Sequence, residues 1–124
     1  MPTIHHIALK VRELDRCTEF YKNILGLEFC ENKFDENGIL RSVWLKSGAI
    51  TLMIEKTPEK SSPRPSHSEN GWHLIAFEMR KSERDHWKKK LTQMGIPIES
   101  ESDYSLYFRD PEGNRLALTH YPAK

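Results

Sequence analysis

The 124-residue chain has no apolar run near the roughly 20 residues that a membrane-spanning helix needs. Nor does it carry an excess of one charge. Its 19 Lys and Arg stand against 18 Asp and Glu, for a formal net charge of +1. That balance gives no basic patch for nucleic acid, no acidic tail and no pull toward an anionic bilayer, so neither nucleic acid nor membrane is expected as a partner. Cysteine is scarce. Cys17 and Cys30 follow no metal-ligand or redox spacing and are expected as reduced thiols. The opening Met1-Pro2-Thr3-Ile4-His5-His6 lacks the basic-then-apolar order of a secretory signal, and a cytoplasmic location is expected. With 37% hydrophobic and 30% charged residues, the chain has the composition of one small globular domain.

Within these limits the periodicity is clear. Residues Thr3 to Val11 alternate with period two, His5, Ile7, Leu9 and Val11 against His6, Ala8 and Lys10, as a half-buried strand does. Cys17, Phe20, Tyr21, Ile24 and Leu25 then recur at helical spacing, with Asp15 as the expected N-cap and Gly26 as the stop. Strands are expected over Leu27–Glu31, Leu40–Lys46 and Ala49–Glu55, the first two separated by a turn at Asp35-Glu36-Asn37-Gly38. Residues 56–71 are rich in Pro, Ser, Lys and Glu and read as a connector.

The order then recurs. Trp72 to Met79 reads as a strand. Ser82 to Met94 reads as a helix capped by Ser82, with Trp87, Leu91 and Met94 on its apolar face and Gly95 as its stop. Ile96 to Ile98 is extended. Strands at Ser105–Phe108 and Arg115–His120 flank a type I turn at Asp110-Pro111-Glu112-Gly113. Ala8-Leu9-Lys10-Val11-Arg12 matches Ala76-Phe77-Glu78-Met79-Arg80, and Leu25-Gly26-Leu27 matches Met94-Gly95-Ile96. The single domain, residues 1–124, is therefore expected as two βαβββ modules, 3–55 and 72–121, joined by the linker 56–71. Each module would be a curved sheet with a helix on one face and a cavity-lining surface on the other.

Two segments carry a family resemblance. His6-Ile7-Ala8-Leu9-Lys10-Val11, followed by Phe20-Tyr21 and Ile24-Leu25-Gly26-Leu27, resembles the opening of glyoxalase-type proteins. Tyr107-Phe108-Arg109-Asp110-Pro111-Glu112-Gly113-Asn114-Arg115 resembles their closing motif. The chain thus resembles the vicinal-oxygen-chelate superfamily of glyoxalase, bleomycin-resistance and dioxygenase proteins. The resemblance implies an α+β fold in which paired βαβββ modules form curved sheets around a cleft. It does not fix an activity, because fold and function separate in such families.

The resemblance also implies where a metal would sit. The four ligand positions of catalytic relatives fall here on His6, Met53, Leu74 and Ala117, with His73 one residue away from the third. One imidazole, a thioether and two alkyl groups do not make a site for a divalent cation. No metal or other cofactor is therefore expected, and His6 would be a ligand only in a noncanonical site, for instance with His73 and Glu55 turned inward. Two function classes remain. The first is a protein that binds a small molecule in its cleft without the usual metal, with His6, Trp44, Thr51, Met53, Leu74, Tyr107 and Ala117 as candidate ligand-binding residues. The second is a metal-dependent lyase, isomerase (epimerase) or dioxygenase of the glyoxalase type with a rearranged site. His6 and Glu55 are its candidate catalytic acid and base.

Each residue also has a plainer reading. Glu55 can stand in solvent at a strand end, Trp44, Trp72 and Tyr107 can be core or interface residues, and Arg109 can pair locally with its turn. His5 and His120 fall on the helix-facing side, His67 in the connector and His86 on a helix surface. Lys88-Lys89-Lys90 reads as a solvated helix face. Sheet edges left open by two small modules need cover, so a two-fold homodimer is expected.

Overall fold

A computed structural model describes residues 1–57 and 71–124. The chain divides into two compact units, Met1–Pro63 and Arg64–Lys124. The expected connector lies almost wholly outside the described residues, as does His67.

The first unit runs β1 (His6–Val11), α1 (Leu14–Glu19), a π-helical turn (Phe20–Ile24), β2 (Glu28–Phe34), β3 (Leu40–Ser47) and β4 (Ile50–Lys56). Its four strands lie in the order β1-β4-β3-β2. The β1–β4 pair is parallel and the others antiparallel. Burial alternates along the strands. Val11, Leu45 and Ile54 are fully buried, with Val43 and Leu52 beside them. Helix α1 packs on β3 and β4 and buries Cys17, while the π turn buries Phe20 and Tyr21. Asp15 is not the N-cap. The helix starts two residues earlier than that cap would set it, because Leu14 is needed in the core, and the cap position falls on Glu13, whose side chain makes no capping bond. Asp15 sits in the first turn, where a carboxylate still complements the positive end of the helix dipole. The apolar spacing that read as one helix is carried by two helical forms. At the end of the π turn the Leu25 amide donates to the Phe20 carbonyl at 3.2 Å, the wider ring of a π turn.

The turn before β3 forms where Asn-Gly was placed. The Asp35 carboxylate accepts from the amides of Asn37 (2.8 Å) and Ile39 (2.9 Å), and Gly38 takes φ +76°, which only glycine adopts without strain.

The second unit repeats this plan. It runs β5 (Ile75–Glu78), a 3₁₀ turn (Lys81–Glu83), α2 (Arg84–Gln93), β6 (Ser100–Glu101), β7 (Ser105–Arg109) and β8 (Arg115–Thr119), with strand order β5-β8-β7-β6. Again the first pair is parallel and the rest antiparallel. Leu91, Leu106, Phe108 and Leu116 are fully buried. Ser82 does not cap α2. It lies inside the 3₁₀ turn, which is closed by the Glu83 carboxylate accepting from the Arg80 amide at 2.8 Å. The strand begins later than Trp72, and Trp72 is fully exposed. Met94, expected on the apolar face of α2, is the exposed C-cap residue, because the helix ends at Gln93. His120 is buried and meets α2, with its Nε2 2.9 Å from Arg84 Nη1. Among the described residues no helix is long and apolar enough to cross a membrane.

Candidate functional site

Each sheet has one face turned to its core and one turned away, and strand register decides which side chains share the second face. In the first unit β1 on β4 sets His6 beside Thr51, Ala8 beside Met53 and Lys10 beside Glu55. On the other side of β4, β3 adds Lys46 beside Thr51, Trp44 beside Met53 and Ser42 beside Glu55. A bulge near Cys30 brings Glu31 to Trp44 and Lys33 to Ser42. The candidates His6, Trp44, Thr51, Met53 and Glu55 thus occupy one surface in three successive rows. His6 is exposed, and its Nδ1 lies 3.0 Å from His5 Nδ1. Trp44, Thr51, Met53 and Glu55 are half-buried. Trp44 Nε1 donates to Ser42 Oγ at 3.3 Å, and Lys33 Nζ stands 5.1 Å from the centroid of its ring. Glu55 Oε1 lies 4.0 Å from Arg41 Nε.

The second unit repeats the register. Ala76 pairs with Ala117 and Ala117 with Tyr107, as Ala8 pairs with Met53 and Met53 with Trp44. Leu74 precedes β5 in phase with Ala76, the place His6 holds ahead of Ala8. Leu74 and Tyr107 are half-buried and Ala117 is buried. Arg109 pairs locally, as its plainer reading had it: its Nε donates to Glu99 at 2.8 Å and its Nη1 to the Gly113 carbonyl at 2.9 Å.

One residue of this face was missed from sequence. Arg115 Cζ lies 4.8 Å from the Tyr107 ring centroid, and its Nη1 is 2.9 Å from His73 Nε2. The signal was available, because Arg115 alternates with Ala117 and so belongs to the same face. His73, considered as a substitute ligand, is engaged with this guanidinium.

The four positions at which the family holds a divalent metal do not fit one here. The only hard or borderline donor among them is the His6 imidazole. Met53 offers a thioether, and Leu74 and Ala117 offer nothing. Among the described residues no three His, Cys, Asp or Glu side chains gather as a metal-binding group. Working sites of this kind need three or more converging donors.

Residues 3–118 match the profile of the Glyoxalase/Bleomycin resistance protein/Dioxygenase superfamily. The chain belongs to this superfamily. The metallothiol transferase FosB of Bacillus licheniformis is 27% identical over 127 residues, covering 93% of this chain and 73% of the relative. A lactoylglutathione lyase from Agrobacterium tumefaciens matches with a TM-score of 0.70 and 27% identity over 96% of this chain and 93% of that one. A glyoxalase/dioxygenase from Nostoc punctiforme has a TM-score of 0.81 at 22% identity, covering 97% and 91%. That last likeness speaks for the fold alone. The superfamily assignment agrees with the paired βαβββ plan, while relatives with different activities leave the chemistry to the residues on the sheet faces.

Proposed function

We propose that this member of the superfamily binds a small molecule on these sheet faces and does so without a divalent metal. The observation that carries the reading is the occupancy of the four ligand positions by His6, Met53, Leu74 and Ala117. The faces carry instead what small-molecule sites commonly use, aromatic walls and a few polar groups: Trp44 and Tyr107 at equivalent places, Thr51 and His6 beside one of them. The test is a calorimetric titration of chelator-treated protein with Mn²⁺ and with Zn²⁺. The reading expects no stoichiometric binding of either. Saturable binding near one ion per chain overturns it.

The names of two relatives favour a second reading, a metal-dependent lyase, isomerase or dioxygenase with a rearranged site. FosB is a metallothiol transferase, and another relative is a lactoylglutathione lyase. In that reading His6 and Glu55 would exchange protons with a substrate. Their registers weigh against it. His6 pairs with Thr51, and Glu55 lies four residues further along the same strand. At a strand rise of about 3.3 Å per residue the two backbones are separated by about 13 Å. General acid and base groups must each come within hydrogen-bond reach of the proton they move, so both side chains would have to extend fully toward a substrate lying between them.

A further inference from the structure

Among the described residues, one positive charge on the second sheet face has no carboxylate beside it. Arg115 and Arg109 stand directly opposite each other on β8 and β7, a placement in which like charges repel. Arg109 is neutralised by Glu99 at 2.8 Å. Arg115 has no carboxylate partner among the described residues. Its contacts are the Tyr107 ring and the His73 imidazole. Neither carries negative charge. In the His73 contact the guanidinium donates, so Nε2 is the acceptor nitrogen. Arg115 is also only half-exposed, and its buried Nε makes no hydrogen bond. A guanidinium removed this far from water is ordinarily paired, because an unsatisfied charged donor is costly to bury.

The surroundings describe what would complete it. The row next to Arg115 is Ala76, Ala117 and Tyr107, two small apolar side chains ending at an aromatic ring. Leu74 borders the same row, in phase with Ala76. A ligand that fits this surface has one anionic end and an apolar body. The charge to be met is a single one, since Arg109 is already satisfied.

We propose that Arg115 is the anchor for a carboxylate, and that the class of molecule bound on this face is a small apolar or aromatic carboxylic acid. The carboxylate takes donors of the Arg115 guanidinium in the fork geometry that favours arginine over lysine. Tyr107 holds the guanidinium from its ring face, His73 holds Nη1, and the apolar body lies toward Ala76, which is exposed. The inference rests on the reading of these faces as the ligand site, and it adds the charge and shape of the ligand.

The probe is benzoate, with benzamide as its uncharged isostere, titrated into the full chain by calorimetry with and without Mn²⁺. Wild type is expected to bind benzoate with a Kd on the order of 1 mM and benzamide at least about tenfold more weakly. Arg115→Gln is expected to lose about tenfold or more in benzoate affinity, and Arg115→Lys, which keeps the charge but not the fork, to fall between. Far-ultraviolet circular dichroism shows whether each variant is folded. If Arg115→Gln does not fold, the benzoate–benzamide comparison on wild type decides alone. Equal binding of the two probes, no benzoate binding by wild type, or undiminished binding in folded Arg115→Gln overturns the carboxylate assignment. Metal-free binding bears only on that assignment. Benzoate binding that appears solely with Mn²⁺ and survives Arg115→Gln overturns both it and the metal-free reading.

Discussion

Trp44 and Tyr107 hold the same place in the two sheets: Trp44 pairs with Met53 and Tyr107 with Ala117, each on the strand next to a parallel pair. A cation from its own unit lies over each ring, Lys33 at 5.1 Å and Arg115 at 4.8 Å. The internal repeat therefore extends past strand order to the chemistry of the faces.

Leu91 is fully buried, while Met94, three residues on, is 56% exposed. Leu91→Ala is expected to cost about 2–5 kcal/mol, and Met94→Ala no more than about 0.5 kcal/mol. Urea unfolding of both variants checks this. Equal losses would mean that α2 packs through a different face.

The closing motif is held by one buried carboxylate. Asp110 is 5% exposed and accepts from the amides of Glu112 and Asn114 and from Asn114 Nδ2. Asp110→Ala strands those donors and is expected to cost about 1–3 kcal/mol. Gly113 has φ +86°, and Gly113→Ala is expected to cost about 1–2 kcal/mol. Both losses are read from denaturant midpoints. A midpoint unchanged in either variant contradicts this account of the turn.

Much of the fold was legible because two signals agreed. Period-two alternation in Ile7-Leu9-Val11 and the turn residues of Asp35–Gly38 and Asp110–Gly113 each locate an element by local chemistry. Helix starts were harder. Asp15 and Ser82 are good capping residues by type, yet the core position of Leu14 and the Arg80–Glu83 bond set the starts elsewhere, and neither is visible in a propensity. At the candidate site, alternation along β4 puts Thr51, Met53 and Glu55 on one face, and only the strand register brings His6 and Trp44 beside them. Alternation could equally have given Arg115, whose importance emerges only from what fails to pair with it.

Glu101 lies against Arg84 at 3.1 Å and Lys88 at 3.2 Å. The hydrogen bond from Arg84, and then that from Lys88, hold its carboxyl below its ordinary value. A carboxylate depressed in the folded state stabilises it at neutral pH, and that contribution is lost as pH falls through the folded value. Glu101→Gln is thus expected to lower the melting temperature at pH 7 and to match wild type in strong acid. The effect is small, since the pair is exposed and screened. A difference that grows toward low pH contradicts the assignment.

Strand β2 is one edge of the first sheet and exposes Phe29 (41%) and Phe34 (59%), with Ile39 (58%) just beyond it. An apolar edge of this kind calls for cover, and the expected cover is a second copy of the chain in closed two-fold symmetry. Light scattering at micromolar concentration should give the mass of a dimer, and Phe34→Glu should shift it toward monomer. A monomeric wild type would show that the edge is left bare.

The most direct test of the metal-free reading is the metal content of protein purified without chelator and mildly dialysed, for wild type and for His6→Ala. Met53, Leu74 and Ala117 supply no ligand a divalent ion needs, so well under one equivalent of any divalent metal is expected in both. Near-stoichiometric metal in wild type that disappears in His6→Ala would contradict it and make the metal-dependent enzyme the correct reading.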